Sequence, residues 1–375
     1  MTRGKRRLAR PRGKRRNVWI SLAAAAILLI GGGVIYIKHD LVERVVFSVL
    51  DRGEKTEEES TLIATAPGPR RPCDSAPTLE QGPACGAWWG VYVPPEGSLR
   101  RSVESLERKV GRTFDIVFAY HDMSTTENGE LLRDDEPKIG RERLLLLGWE
   151  SERWELGDNI PWATIASGRL DKEIIDPQAK RIKKYGKPVL IGFDGEMELR
   201  EDSGTPADYV AAYRHIVDRF RKLGVDNVAW VWAVTGYLDY SKRWKAFYPG
   251  DDYVDWISYD PYNFAHCRNA PWRSFEETVR PAYNWFIRNG FGHKPFILSE
   301  YGTESDPDRP KARGEWYKDV PRTLKKMPNI KAVLQWNAVD SEGCDFTLTG
   351  PGVLDSFAQA GKDPYVKQQL PRGLK

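Results

Sequence analysis

Eight short apolar runs alternate with amphipathic stretches over residues 86–375, and this alternation limits the fold more than any other feature of the sequence. Each run is continuously apolar, as in parallel strands that are covered on both faces. The predicted strands are Trp88–Val93, Asp115–Tyr120, Arg143–Trp149, Val189–Phe193, Val228–Ala233, Val254–Tyr259, Phe296–Ser299 and Ala332–Trp336. Strands that alternate with helices in this number predict a (β/α)8 TIM barrel. A doubly wound open sheet is the alternative, but no glycine-rich phosphate loop follows an early strand.

Two of the stretches between these strands begin with a clear helix signal. Thr205, Pro206 and Asp208 supply a cap, a proline at the first helical position and an acid at the third. This combination is typical of a helix start. Ser274 and Glu277 repeat the cap and the acid further along the chain, so a second helix is predicted there.

Two of the predicted strands share one sequence pattern, and both end in a glutamate. The segments YGKPVLIGFDGE (residues 185–196) and FGHKPFILSE (residues 291–300) each run through Lys-Pro and an apolar strand to the acid. In a parallel barrel the two acids, Glu196 and Glu300, emerge on the C-terminal face, where active sites form. Glycoside hydrolysis needs such a pair, because one carboxyl protonates the leaving oxygen while the other attacks the anomeric carbon. A single glutamate more often caps a helix or pairs with an arginine, but the repeated pattern favours the catalytic interpretation.

These two segments are part of a wider resemblance. From Trp88 to the C-terminus the sequence resembles glycoside hydrolase family 26, whose members are (β/α)8 retaining β-glycanases, chiefly β-mannanases. The resemblance is carried by ASGRLDKEI (166–174), GKPVLIGFDGEME (186–198), TPADYVAAYRHIVDRFRKLGVDNVAWVWAV (205–234), FYPGDDYVDWISYDPYN (247–263) and PFILSEYG (295–302). It implies that Glu196 is the acid/base, that Glu300 is the nucleophile and that Tyr262, from the sixth strand, orients Glu300. Endo-acting cleavage is implied by the family alone.

The fourth strand is where the sequence departs from the family. Family members usually have an arginine at the position of Gly192, and His-Glu-Met where this chain has Gly195-Glu196-Met197. The absence of the arginine and the histidine affects the expected mannan specificity more than the glycosidase chemistry. Asp194 is unusual at its position, and two roles are open for it. Either it replaces one of the lost sugar contacts, or it repels Glu196 and raises the pKa of that general acid.

Further candidates for sugar contacts are aromatic and polar residues near strand ends. Flat sugar faces stack on aromatic rings, so Trp232 and Trp336 are the best-placed tryptophans, and Trp88 is a weaker candidate. For each tryptophan the core of the barrel is the competing location. His121 follows the second predicted strand, and Asn263 lies beside the predicted orienting tyrosine. A loop or turn role is the alternative for both of these polar residues.

The region before the barrel is predicted to hold the chain in a membrane. Residues 1–17 contain nine Lys or Arg and no acid, and the twenty residues 18–37 contain no charge. A helix of that length spans ~30 Å, the hydrocarbon thickness, and the charges before it predict a cytoplasmic N-terminus and an extracellular barrel. A cleaved signal peptide is the alternative, but its apolar core is usually ~7–15 residues long. Residues 38–85 are polar and contain several Pro and Gly, which predicts a juxtamembrane segment and a flexible stalk before a barrel domain at 86–375.

The four cysteines predict two disulfide bonds in an exported domain. The favoured pairing is Cys73 with Cys85 and Cys267 with Cys344, and free buried thiols are the alternative. No two cysteines form a C-x-x-C pair and the five histidines are scattered, so neither a metal site nor a cofactor is predicted. Without the basic tail the net charge changes from +4 to −5, which disfavours nucleic-acid binding.

Together these features predict a single-pass membrane protein with an extracellular retaining β-glycanase domain. The expected partner is a β-linked polysaccharide, either mannan-like or an exopolysaccharide at the producer's own surface. A polysaccharide synthesis or export machinery would be a second partner. Two alternatives stay open, namely a non-catalytic polysaccharide-binding barrel and an assembly factor that uses the barrel as an interaction surface.

Overall fold

The computed structural model describes residues 62–66 and 71–373. The predicted basic tail (1–17), the predicted membrane anchor (18–37) and most of the predicted juxtamembrane segment and stalk lie outside these residues. Within the described part of the chain, none of the helices combines the length and the apolar character that crossing a membrane requires.

Eight parallel strands close into a barrel. They are β1 (Trp88–Tyr92), β2 (Ile116–His121), β3 (Leu144–Trp149), β4 (Val189–Phe193), β5 (Val228–Val234), β6 (Trp256–Tyr259), β7 (Phe296–Thr303) and β8 (Ile330–Trp336). Each strand pairs with the next, and β8 also pairs with β1, which closes the sheet. The predicted (β/α)8 barrel is therefore confirmed, and each predicted strand overlaps an observed one.

Helices follow the strands in the order that this fold requires. They are α1 (Leu99–Val110), α2 (Glu136–Ile139), α3 (Trp162–Ala166), α4 (Asp176–Tyr185), α5 (Pro206–Lys222), α6 (Ser241–Phe247), α7 (Phe275–Phe286), α8 (Ala312–Lys318), α9 (Val320–Lys326) and α10 (Val353–Ala360). Both predicted helix starts are observed as capping boxes, Thr205 with Asp208 before α5 and Ser274 with Glu277 before α7. In each box the cap side chain and the acid satisfy backbone N–H groups that the first helical turn leaves free.

Two apolar layers, one on each face of the sheet, show which side chains of a strand point into the barrel and which point toward the helices. In β4 the side chains of Val189, Ile191 and Phe193 pack outward against the helices, whereas Leu190 packs inside the barrel. Side chains alternate along a strand, so Gly192 is the next inward position after Leu190. The absence of a side chain at Gly192 leaves room at the C-terminal mouth of the barrel.

Residues 71–85, the last part of the predicted stalk, lie against the N-terminal end of the barrel. The predicted Cys73–Cys85 disulfide is present, and Leu79 is buried in the interior cluster of the barrel. The indole N–H of Trp256, the first residue of β6, donates a hydrogen bond of 2.8 Å to the carbonyl of Leu79. This segment therefore covers the end of the barrel opposite the C-terminal ends of the strands.

Candidate active site

The loop after β4 holds two residues in an unusual backbone conformation. Asp194 and Glu196 have φ values of 45° and 56°, in the left-handed region that residues with side chains rarely adopt. The N–H of Asp194 donates to the carbonyl of Trp149 at the end of β3, and the N–H of Glu196 donates to the carbonyl of Ala233 in β5, both at 3.1 Å. Strained residues held by both neighbouring strands are typical of a functional loop.

The acids on either side of Glu196 anchor this loop. Asp194 is fully buried and accepts hydrogen bonds from the backbone N–H and hydroxyl of Ser151 and from the indole of Trp162. Glu198 is also fully buried, and one of its oxygens accepts from the N–H and hydroxyl of Thr235, at 2.8 and 2.9 Å. With both neighbours fixed in the protein, Glu196 is the acid of this segment that reaches the mouth of the barrel.

Glu196 and Glu300 line one cleft at the C-terminal end of the barrel. The residues around this cleft are Phe118, Tyr120, Leu146, Gly148, Glu150, Gly192, Gly195, Glu196, Arg200, Val231, Ala233, Asp260, Ser299 and Glu300. The two strands that share the Lys-Pro pattern thus deliver their glutamates to the same place. Burial of Glu150 in this cleft raises its pKa to about 7, although the neighbouring Arg200 opposes the rise.

Glu300, within β7, is held by two tyrosines. The hydroxyl of Tyr262 donates a hydrogen bond of 2.6 Å to one carboxylate oxygen, and the hydroxyl of Tyr120 donates to the other. The backbone N–H of Glu300 donates to Asp260 at 3.0 Å, and the indole of Trp336 donates to the Tyr120 hydroxyl at 3.2 Å. A hydrogen bond on each oxygen therefore fixes the orientation of the Glu300 carboxylate.

The two glutamates differ in what stabilises their charge. Burial raises the pKa of Glu300, but the hydrogen bonds from Tyr120 and Tyr262 oppose the rise by favouring the ionised form. Burial also raises the pKa of Glu196, to about 8, and the charges of Glu300 and Glu198 add to the effect. No described side chain donates a hydrogen bond to the carboxyl of Glu196. An acid with a raised pKa and a carboxylate whose charge is stabilised by two hydrogen bonds thus line one cleft, which suits general acid catalysis combined with nucleophilic attack.

The potential metal ligands among the described residues lie apart from this pair. Two groups have suitable atoms close together, and both include Cys344 in the loop after β8. The sulfur of Cys344 is bonded to Cys267. Asp340, a member of one group, accepts hydrogen bonds from the backbone N–H groups of Glu342 and Cys344, which is the geometry of a turn.

Comparison with known proteins shows which family the chain resembles. Residues 169–327 match the family model of glycosyl hydrolase family 26, a range that contains both Glu196 and Glu300. Over 293 residues the chain is 30% identical to Endoglucanase H of Acetivibrio thermocellus, which covers 73% of this chain and 30% of that protein. The part of the chain that carries both glutamates is therefore similar to glycosyl hydrolase family 26.

Other similar proteins are also named as enzymes that act on β-linked polysaccharides. A β-1,3-xylanase, TXYA of a Vibrio species, is 26% identical over 147 residues, covering 39% of this chain and 29% of that protein. Among solved structures, a family 26 β-mannanase of Bacteroides ovatus superimposes with a TM-score of 0.56 at 18% identity, covering 79% of this chain and 94% of that one. The chain spans about a third of the length of the curated relatives that it matches.

Two further residues predicted for the site lie at the cleft beside Glu300. Tyr262 contacts the glutamate directly, as described above. Trp336, the last residue of β8, stacks on Tyr92 with ring centroids 5.5 Å apart, and its edge faces the Tyr262 ring at 6.2 Å. Trp336 is half-buried, so part of its ring is available to a ligand.

Two predicted tryptophan contacts are instead buried away from the cleft. Trp232 is fully buried between the barrel and its helices, where its ring contacts Tyr248 and Phe286. Trp88 is the first residue of β1 and is fully buried inside the barrel. Its indole donates to the carbonyl of Gln369 at 2.9 Å, at the end of the barrel opposite the cleft. A sugar can reach neither ring.

The polar candidates His121 and Asn263 are also buried, and their side chains face other protein groups. His121 is fully buried on the helix side of β2, with its Nε2 3.2 Å from a carboxylate oxygen of Glu136. The amide of Asn263 donates to the hydroxyl of Thr303 at 3.0 Å and accepts from the N–H of Arg273 at 3.2 Å. Both residues stabilise the barrel and its loops rather than binding sugar.

Asp194 takes neither of the two roles that the sequence left open. Its carboxylate faces Ser151 and Trp162 and is fully buried, so it does not contact a sugar in the cleft. The groups that act on the pKa of Glu196 are Glu300, Glu198, Arg200 and Arg268. Asp194 supports the loop instead.

Several residues of the cleft were absent from the sequence-based site, among them Tyr120, Glu150 and Arg200. Tyr120 lies in β2 two residues after Phe118, which points into the barrel, so strand alternation could have found it. Glu150 follows the last residue of β3, as an acid at a strand end. Arg200 lies in an irregular loop, and no periodicity in the sequence indicates that it reaches the cleft.

Proposed function

We propose that this chain is an endo-acting retaining β-glycanase in which Glu196 is the acid/base and Glu300 is the nucleophile. The observation that carries the proposal is the contrast within the cleft: Glu300 accepts hydrogen bonds from two tyrosines, and Glu196 from no described side chain. The similarity to family 26 supports the same reaction. Tyr262 and Tyr120 are proposed to orient the nucleophile.

The proposed reaction has two steps. In the first, Glu196 gives its proton to the leaving glycosidic oxygen while Glu300 attacks the anomeric carbon and forms a glycosyl ester. In the second, the ionised Glu196 takes a proton from water, and the oxygen of that water replaces Glu300 at the anomeric carbon. Two displacements at one carbon retain the β configuration.

The proposed substrate is a β-linked polysaccharide, and a β-glucan is the first choice. The relative whose match covers 73% of this chain is named an endoglucanase, and two others are named β-1,3-xylanases. The similar solved structures include β-mannanases. Gly192, where a family arginine is expected, is a reason to place mannan second. An exopolysaccharide at the producer's surface is the other candidate.

The proposed location is the outer face of the cell membrane, through the apolar segment 18–37. The two disulfides support an exported barrel, because such bonds persist in oxidising compartments. A polysaccharide synthesis or export machinery stays a proposed partner.

The test is turnover by the full chain of mixed-linkage β-glucan, β-mannan, β-1,3-xylan and the producer's exopolysaccharide. We expect hydrolysis of at least one, first products in the β configuration by proton NMR, and a loss of roughly a thousandfold or more in Glu300→Gln. Glu201→Gln is the matched control, because Glu201 lies on the same loop as Glu196 but pairs with Arg243 outside the cleft. Unchanged turnover in Glu300→Gln would refute the assignment. Binding without turnover by the unaltered chain would favour the non-catalytic barrel.

A further inference from the structure

The wall of the cleft beside Glu196 has an open space that is bordered by an arginine. A Cβ atom added at Gly192 or Gly195 would meet its nearest neighbours at 3.8 Å, which is ordinary contact distance. Both glycines line the cleft, and so does Arg200. Arg200 thus brings a guanidinium from the following loop to a part of the cleft where two wall positions, Gly192 and Gly195, have no side chain.

Arg200 is held firmly in this place. Its Nη2 lies 3.3 Å from an oxygen of Glu150, and its Nη1 lies 3.6 Å from Asp194 and contacts Glu152. Only 17% of the side chain is exposed. Surrounded by three carboxylates, the guanidinium has its pKa raised further and cannot lose its charge. The same carboxylates leave it little capacity to bind an anionic ligand.

The guanidinium also contacts the backbone next to Glu196. The Nε–H of Arg200 donates a hydrogen bond of 3.3 Å to the carbonyl of Gly195. That carbonyl belongs to the peptide that joins Gly195 to Glu196, and Gly195 itself lies between Asp194 and Glu196, the two residues with left-handed backbone conformations. A left-handed residue needs surrounding contacts to persist, and this hydrogen bond is one that fixes the peptide plane directly before the acid.

We propose that Arg200 is a positioning residue for Glu196, which orients the Gly195–Glu196 peptide and places a fixed positive charge beside the Glu196 carboxyl. This inference rests on the proposed function. The effect of Arg200 on the reaction is exerted through Glu196 and not through the sugar.

The charges around Glu196 give the sign of the effect. Glu300 from β7 and Glu198 from its own loop raise the pKa of Glu196, whereas Arg200 and Arg268 lower it. The other titratable groups near it are Asp260, Tyr237 and Glu150. Among the opposing charges, that of Arg200 is the larger. Removal of the Arg200 charge therefore raises the pKa of Glu196 and extends its protonated range to higher pH.

The test compares Arg200→Met and Arg200→Lys with the unaltered full chain. We expect Arg200→Met to move the alkaline limb of the kcat/KM profile upward by roughly one pH unit, and to lower kcat by roughly tenfold to a hundredfold with a smaller change in KM. Arg200→Lys keeps the positive charge but lacks the guanidinium whose Nε–H donates to the carbonyl of Gly195. Its alkaline limb should therefore stay close to that of the unaltered chain, while kcat still falls. Arg243→Met is the control, because Arg243 is a half-exposed arginine near the same loop that contacts Glu201.

A second readout does not need turnover. In the full chain labelled with 13C at the glutamate carboxyls, the Glu196 signal is assigned by its loss in Glu196→Gln and then titrated. An upward shift of that titration in Arg200→Met, and not in Arg243→Met, supports the inference even if no glycan is cleaved, which would count against the proposed function alone. A titration that is unchanged in Arg200→Met overturns the inference. If Arg200→Met does not fold, an undiminished kcat in Arg200→Lys overturns it.

Discussion

The two glutamates of the cleft show how one residue type acquires two roles from its surroundings. Glu300 receives a hydrogen bond on each carboxylate oxygen, from Tyr120 and Tyr262, and these bonds favour its ionised form. Burial, and then the charges of Glu300 and Glu198, raise the pKa of Glu196 and favour its protonated form. The division of labour in a retaining hydrolase needs such a difference between the surroundings of the two acids.

Removal of one tyrosine hydroxyl should weaken the nucleophile. We expect Tyr262→Phe to lower kcat/KM by roughly tenfold to a hundredfold, since a hydrogen bond to a charged group contributes ~1.5–3 kcal/mol. Because this bond lowers the pKa of Glu300, its loss raises that pKa, and the acid limb of the pH profile moves to higher pH. Activity is then lost earlier as the pH falls.

Steady-state kinetics across the pH range, with Tyr253→Phe as control, provide the check. The hydroxyl of Tyr253 donates to Asp218, whose side chain is exposed on the outer surface of the barrel. An acid limb that is the same in Tyr262→Phe and in the unaltered chain would show that the tyrosine does not tune Glu300.

How far single site residues could be predicted from the sequence depends on strand alternation. Trp232 shares its parity with Trp230, and both pack outward against helices, whereas Trp336 shares its parity with Leu334 and points into the barrel. Because both tryptophans lie near a strand end, the sequence analysis gave them equal weight as sugar contacts. The alternation of side chains along each strand distinguishes the outward Trp232 from the inward Trp336. Arg200 is different, because only the folded loop brings it to the cleft.

The loops after the strands are the elements that shape the cleft, and a disulfide joins two of them. Cys267, after β6, is bonded to Cys344, after β8, a pairing predicted from the sequence and now confirmed. Beside it, the guanidinium of Arg268 lies 3.6 Å from the centre of the Phe264 ring, and its Nε lies 3.1 Å from Glu342. Since Arg268 acts on the pKa of Glu196, these tied loops form part of the cleft's surroundings.

The two disulfides should therefore have separable effects. We expect Cys267→Ser/Cys344→Ser to raise KM and lower the unfolding free energy, because it frees the loops beside the cleft. Cys73→Ser/Cys85→Ser should lower stability with KM unchanged, because that bond lies at the opposite end of the barrel. The chain-entropy model for sequence separations of 77 and 12 gives losses of about 4.5 and about 3 kcal/mol.

Urea unfolding and steady-state kinetics on the two double variants measure both quantities. A KM that rises equally in both variants would mean that the Cys267–Cys344 bond has no particular role at the cleft. Equal KM values with separate stabilities would give the same conclusion.

In the molecule as a whole, the barrel could be predicted from the sequence, but the segment that covers its N-terminal end could not. The eight strands were predictable because continuous apolar runs and capped helices are local signals, and closure of the barrel follows from their number. The contribution of residues 71–85 was not predictable in this way. They are polar and rich in turn residues, and only the burial of Leu79 and its hydrogen bond with Trp256 show that they complete the barrel.

This packing leads to a prediction about where the folded unit begins. A chain that starts at residue 62 should match the full chain in stability, whereas a chain that starts at residue 86 loses the Cys73–Cys85 bond and the buried Leu79. We expect the shorter chain to lose about 3–5 kcal/mol of unfolding free energy, because the barrel loses the buried Leu79 and the hydrogen bond from Trp256 to its carbonyl. Denaturant unfolding of the three chains measures this difference.

Leu79→Ala in the full chain is the matched control, because it removes the buried side chain and keeps the disulfide. Its loss should be about 2–3 kcal/mol, the usual cost of truncating a buried leucine. Membrane fractionation of the same chains tests the predicted anchor separately, since only the full chain contains residues 18–37. If the chain that starts at residue 86 were as stable as the one that starts at 62, residues 71–85 would be a stalk that merely touches the barrel. If instead it is less stable by more than Leu79→Ala alone explains, the disulfide-bonded segment belongs to the folded domain.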